Sequence, residues 1–237
     1  MSLVVVLVFW LIVALVASLT GLLLRLAFPI PILGTAITVL VLAVLWLSPT
    51  WRQRALANGP APLVTYNLVR FVGFYFLWLY GLGLLPRNFA VPAGWGDILV
   101  AALAIPLLLL RDWTRGRRRV FLLAWNVLGL ADILMVVANA ARMARADPDF
   151  QHAFASMPLS LLPTYIVPLV IASHALIFYW LWRPVRPGQV CRVITGRAAC
   201  SSPTSSPRRP LPPASAGPSS RAAPRPTRWS RSRRRSP

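Results

Sequence analysis

Apolar residues along this chain gather into six long runs that polar residues barely interrupt, at about residues 3–24, 30–47, 63–84, 93–110, 120–140 and 161–182. Each approaches or exceeds the roughly 18 apolar residues at which a spanning helix becomes the default reading, because about 20 residues at 1.5 Å each cross the hydrocarbon. The pattern predicts an all-α, polytopic membrane protein, a bundle of six transmembrane helices within residues 1–182. The first run has no basic residue before it and exceeds the 7 to 15 residues of a signal-peptide core, so it reads as an anchor.

The polar connections orient the bundle, because short loops rich in Lys and Arg stay in the cytoplasm. One connection holds Arg52 and Arg54, another holds Arg111, Arg115, Arg117, Arg118 and Arg119, and everything after Trp182 is rich in arginine. The remaining three are poorer: Arg25 alone, Arg87 alone, and Arg142 with Arg145 set against Asp147 and Asp149. Six spans with both termini cytoplasmic satisfy every loop. Trp46, Trp51, Trp113, Trp180 and Trp182 fall at inner ends and Trp95 at an outer one, as an aromatic belt requires. Between the last two spans, Asp147 followed by Pro148 reads as an N-cap with proline at the first helical position. Phe150, Phe154 and Met157 then recur at helical spacing, which predicts a short surface helix with His152 exposed.

Composition narrows the chemistry. Of the residues, 57% are hydrophobic, and the net charge of +20 comes from 25 basic residues, all Arg, against five acids, all Asp. Without lysine there is no Schiff-base chemistry and no phosphate-binding GxxxxGK[ST] loop. No G-x-S-x-G or HExxH is present, and Cys191 and Cys200 both lie in the polar tail. The sequence therefore points away from an enzyme, with no catalytic residue, metal site or cofactor assigned. Residues 183–237 change to Arg, Pro, Ser and Ala, with thirteen arginines and no acid, a composition that predicts disorder. Such a tail is drawn to anionic headgroups by about 1 kcal/mol per arginine near the surface. It lacks the interleaved aromatics and folded platform of a nucleic-acid binder. The same composition arises when a GC-rich gene is read out of frame, which would leave the tail without an evolved role.

Against this apolar background the buried polar residues stand out. Ionisable groups inside spans are costly and are candidates for function by default. Counting about 1.5 Å per residue from the nearer end places Arg70, Asn126 and His174 in an inner layer, Arg70 roughly 10 Å deep. Asp97, Asp132 and Asn139 fall in an outer layer. Asp97 and Asp132 sit in echoing hexapeptides, GWGDIL at 94–99 and GLADIL at 129–134. One copy opens its span and the other lies past the middle of an antiparallel one, so the echo is not an inverted repeat. At about 100° per residue, Gly129, Asp132, Val136 and Asn139 share a side of span five, and Asn67, Arg70, Gly73 and Gly81 share one of span three. Small and polar residues on one face favour helix contacts in lipid, so both faces are expected to point inward. His174, six residues after Pro168, could ligate haem or relay protons, but His152 is the only other histidine and is expected outside the bilayer.

The stretch GLLPRNFAVPAGWGD at 83–97 fits G-x-L-P-x-x-F-A-x-P-A-G-x-G-D, with Arg70 upstream and a W-N-x-x-G-x-x-D pattern downstream at Trp125, Asn126, Gly129 and Asp132. It resembles a group of small bacterial multi-pass membrane proteins. The likeness covers about residues 63–182 and implies a bacterial inner-membrane setting, but no activity; the first two spans and the tail fall outside it. On its own physics, Pro86 and Pro92 would stop and restart helices, giving an ordered outer loop over the two aspartates.

The leading expectation is small-solute or proton-coupled transport through a polar-lined core of Arg70, Asp97, Asn126, Asp132, Asn139 and His174. A non-catalytic scaffold or accessory subunit is the rival, with the lipid bilayer as its partner and the polar residues as packing glue. A haem- or quinone-binding protein using His174 is the third reading.

Overall fold

The computed structural model describes residues 2–25, 30–109 and 116–183. The tail from 184, with Cys191 and Cys200, and the loop residues Arg111 and Arg115 lie outside the described residues. Six longer helices carry the fold: α1 (Leu3–Leu19), α2 (Ile30–Leu47), α3 (Ala61–Gly81), α4 (Arg87–Leu109), α5 (Gly116–Ala146) and α6 (Leu162–Trp182). Short helices span Leu22–Arg25, Pro49–Ala55 and Pro148–Ala155, and no strand occurs among the described residues. Helices α2 to α6 are long and apolar enough to cross a membrane; α1 has 17 residues.

Successive helices run in opposite directions, so each end of the bundle gathers its own apolar cluster. At one end Val64, Leu107, Leu122 and Leu181 pack together, beside an arginine-rich rim where Arg52 and Arg183 each lie over the Tyr179 ring, 4.5 and 4.3 Å from its centroid. At the other end Phe89 meets Phe76, Phe150 and Phe154 edge to face, with centroids 5.6, 5.1 and 5.2 Å away. Two of those rings come from Pro148–Ala155, which starts as its sequence predicts: the Asp147 carboxylate accepts from the backbone N–H groups of Asp149 and Phe150 at 3.0 and 3.3 Å. Phe150 and Phe154, four residues apart, turn inward, while His152 is exposed.

The boundaries differ from the hydropathy reading in informative ways. The first helix stops at Leu19 rather than near 24, because Gly21 takes φ +66° and turns the chain. Helix α5 continues to Ala146, past the end of the apolar run at 140. Helix α4 starts at Arg87, not 93, so Pro92 lies inside it and the connection shrinks to residues 82–86. The expected loop over the aspartates is therefore mostly helix. A proline at position 92 cannot donate to the carbonyl four residues back, that of Asn88. Asn139 of α5 supplies the missing donor, its Nδ2 lying 2.9 Å from the Asn88 carbonyl.

Two spans depart from α geometry. Helix α3 tightens into a 3-10 segment over Asn67–Val72, and α6 opens into a π-helical turn over Leu162–Ile166, ending two residues before Pro168. Prolines inside apolar helices are tolerated where such local adjustments re-satisfy the backbone. Gly34 of α2 fits against the π turn, where a Cβ would lie 3.0 Å from both Pro163 Cβ and its carbonyl oxygen.

Helices α3 and α4 touch through backbone. A Cβ on Gly73 would collide with the Gly94 carbonyl oxygen and reach 3.0 Å from Asp97 Cβ, and one on Gly94 would lie 2.9 Å from the Gly73 carbonyl oxygen. By contrast, a Cβ on Gly81 meets nothing within 4 Å. Gly73→Ala is expected to lower stability by about 1 to 3 kcal/mol through overpacking. Gly81→Ala should leave it unchanged, both read from thermal unfolding in detergent micelles. The donor substitution at Pro92 makes a second test. Asn139→Ala should cost about 0.5 to 1.5 kcal/mol by removing the partner of the Asn88 carbonyl. The double variant Pro92→Ala/Asn139→Ala, which restores a backbone N–H at 92, should recover most of that loss.

Candidate functional site

The 3-10 geometry of α3 decides which of its residues face the bundle. With three residues per turn, positions three apart eclipse, so Asn67, Arg70 and Gly73 stack on one side. All three are buried, whereas Gly81, beyond the 3-10 segment, is exposed.

Arg70 is 1% exposed and reaches two other helices. Its Nε donates to Asp97 Oδ1 of α4 at 2.7 Å, and its Nη1 donates to the Gly129 carbonyl oxygen of α5 at 2.9 Å. Its Nη2 donates to Asp132 Oδ2 of α5. The planar guanidinium fork suits three acceptors at fixed angles in a way a lysine would not. Glycine makes the approach possible: a Cβ on Gly96 would overlap the Asp132 carboxylate.

A second polar group adjoins the first. Asn126 Nδ2 donates to the His174 backbone carbonyl at 3.1 Å, and its Oδ1 lies 2.8 Å from His174 Nδ1. Because the amide donor is spent on the carbonyl, Oδ1 is the acceptor and Nδ1 carries the proton, leaving Nε2 as a bare acceptor. Nε2 is buried with no hydrogen-bond partner among the described residues. The ring lies 5.4 Å from that of Trp125, and a Cβ on Gly129 would sit 2.9 Å from Nε2. Gly129 thus serves both groups, presenting its carbonyl to Arg70 and its bare Cα to His174. Nearby, Asn67 Nδ2 donates to Ser173 Oγ at 2.9 Å, and Trp125 Nε1 donates to the Val100 carbonyl at 2.9 Å.

Of the six candidates, five meet here. Asn139 stands apart, half-buried on Asn88 and accepting from Arg142 Nη2 at 2.8 Å. The two-layer arrangement gives way to one connected group. Asp97 lies ten residues past the start of α4 instead of four, and the 3-10 rise of about 2.0 Å per residue carries Arg70 further in than an α-helix would. The echoed hexapeptides converge: Asp97 and Asp132 bind different nitrogens of one guanidinium. Ser173 gives no signal in the sequence, since only its facing helix reveals its role, whereas glycines 73, 94 and 96 are the small residues expected where helix backbones meet.

The family pattern of a domain of unknown function, DUF8737, matches residues 27–182. The chain belongs to that family. The DUF8737 match begins before α2, so it takes in a helix that the sequence resemblance left outside. No curated protein and no solved structure matches the chain.

Within the DUF8737 region a cavity of about 240 Å³ lies between α2, α5 and α6. Among the described residues that line it, Arg70 and Asp97 are the only charged ones; Ile133, Val136, Ile166 and Val170 typify the rest. Thr38 also lines it, but its hydroxyl donates to its own helix at the Gly34 carbonyl, 2.7 Å away. Thr35 likewise bonds its own helix, and Gln151 adds a neutral amide, so the charge at the cavity comes from the ion pair.

Removing one member of a buried ion pair strands the other charge and typically costs about 3 to 5 kcal/mol. Arg70→Met should destabilise the DUF8737 domain by that order in thermal unfolding, and adding Asp97→Asn and Asp132→Asn should restore much of it.

Proposed function

We propose that the chain is a six-span integral membrane protein of the bacterial inner membrane, with both termini cytoplasmic, whose core serves small-solute or proton-coupled transport. The asymmetry of the two ends supports the orientation: Arg52, Arg54, Arg117, Arg118, Arg119 and Arg183 gather at one, while at the other Arg25, Arg87, Arg142 and Arg145 are offset by Asp147 and Asp149.

One observation carries the transport reading. A single guanidinium faces two carboxylates, and this group borders an apolar cavity. With both carboxylates ionised the group has a net charge of −1; one proton or one monovalent cation makes it neutral. An apolar surrounding favours the neutral form strongly, so occupancy by a mobile positive charge is built into the composition of the site.

The scaffold reading rests on a different observation, that three Arg70 nitrogens are already bonded to protein acceptors. Under it the cluster only clamps helices. Haem ligation by His174 draws no comparable support, because Nε2 lies against Gly129 and an axial role would require α5 and α6 to part. Proteoliposomes separate the first two. Asp132→Asn keeps shape and removes one carboxylate charge, and it should lower proton flux at least tenfold relative to the parent. Equal flux in both, or none in either, would put the scaffold reading in front.

A further inference from the structure

We propose that the cavity beside Arg70 and Asp97 binds a linear apolar molecule ending in a protonated amine, which enters sideways from the lipid between α2 and α5. This deepens the transport reading by naming a substrate class, and it rests on that reading only for what happens after binding.

Shape is the first support. On α2 the lining runs from Ile30 to Leu42, twelve helical rises of about 1.5 Å, so the slot extends roughly 18 Å along the helix while enclosing only about 240 Å³. A dry apolar cavity of about 150 Å³ suffices for benzene. The larger volume drawn out along a helix suits an alkyl chain better than a fused ring system. The walls offer such a chain apolar contact from Ile133, Val136, Ile166 and Val170.

The entrance is the second. Val39 of α2 and Leu134 of α5 both line the cavity, yet they are 60% and 50% exposed on the bundle's outer surface. A residue that lines a cavity and also faces outward marks its mouth. Here the mouth lies on the apolar flank, where a membrane-dissolved molecule arrives without crossing water.

Charge selects the head group. Arg70 alone faces both Asp97 and Asp132, so an incoming ammonium that hydrogen-bonds to Asp97 completes an arrangement of two positive and two negative groups. An incoming carboxylate would instead raise the excess negative charge. A hydroxyl would bond without removing it. Asp97 rather than Asp132 meets the head, because only Asp97 lines the cavity.

The test uses the full-length chain in dodecylmaltoside micelles and equilibrium dialysis of radiolabelled decylamine, decanol and decanoate, each corrected for protein-free micelles. The parent is expected to retain decylamine at least tenfold more tightly than decanol, and decanoate least. Asp97→Asn should reduce the amine preference to below threefold by weakening amine retention far more than decanol retention, and Leu134→Trp at the mouth should weaken both. Equal retention of amine and alcohol by the parent, a preference for decanoate, or an undiminished amine preference in Asp97→Asn would each overturn the proposal. Should Asp97→Asn fail to fold, Leu134→Trp decides, since its side chain faces outward and unchanged amine retention there excludes this cavity. Loss of amine preference with proton flux intact would leave transport standing with another solute. Amine retention without flux would leave a binding protein.

Discussion

The guanidinium of Arg70, shared among Asp97, Asp132 and the Gly129 carbonyl, is the constraint from which the rest of the core follows. Charges in an apolar bundle must be paired at short range, because neither water nor hydrocarbon can take over an acceptor that drifts away. Three helices are thereby fixed in mutual height and rotation: one residue of slip in α4 or α5 would swing a carboxylate by about 100° off the guanidinium. Short charge contacts also demand short backbone contacts. Glycines at 73, 94, 96 and 129 stand where a Cβ would collide with the partner helix, so they are the steric counterpart of the ion pairs and not separate features.

The sequence reveals the components of this core better than its geometry. Apolar runs are sums over many residues, so the helices and the alternation of arginine-rich ends are legible at a distance. Arg70, Asp97, Asp132 and His174 are legible for the opposite reason, each being a single expensive exception in such a run. What links them is not. Depth counted at a uniform 1.5 Å from hydropathy boundaries separates Arg70 from the aspartates. The real α4 begins six residues earlier, α3 is locally a 3-10 helix, and an arginine side chain extends well beyond its backbone position. The 3-10 and π segments escape a reading by periodicity because each is a local exchange of hydrogen-bond partners whose advantage lies in the facing helix. Pro92 illustrates this: alone it reads as a helix break, and only Asn139, across the bundle, explains why the helix passes through it.

His174 and Asn126 extend the same logic one step further into the bundle. Their two-point pairing fixes the imidazole tautomer and turns an unoccupied acceptor toward Gly129, the residue whose carbonyl already serves Arg70. A change in the charge held by the Arg70 group, or a shift of α5 against α6, would be felt at both places through one backbone position. The extent of the DUF8737 match supports treating these elements as one unit, since it takes in α2 as well as the helices that carry the charges.

Helix α2 brings no charge of its own to the cluster, yet without it the cluster would lie open to the flank of the bundle. It packs along α6, with Gly34 seated against the π turn, and toward α5 it leaves the elongated cavity whose charged lining is Arg70 and Asp97. A site designed only to hold helices together would be expected to bury its unbalanced charge as far as possible from any space. Here a carboxylate of the negatively charged group borders a loosely filled part of the core whose walls are mostly apolar. Charge imbalance and incomplete packing each destabilise a core separately. Their occurrence together is economical if something apolar and positively charged fills both.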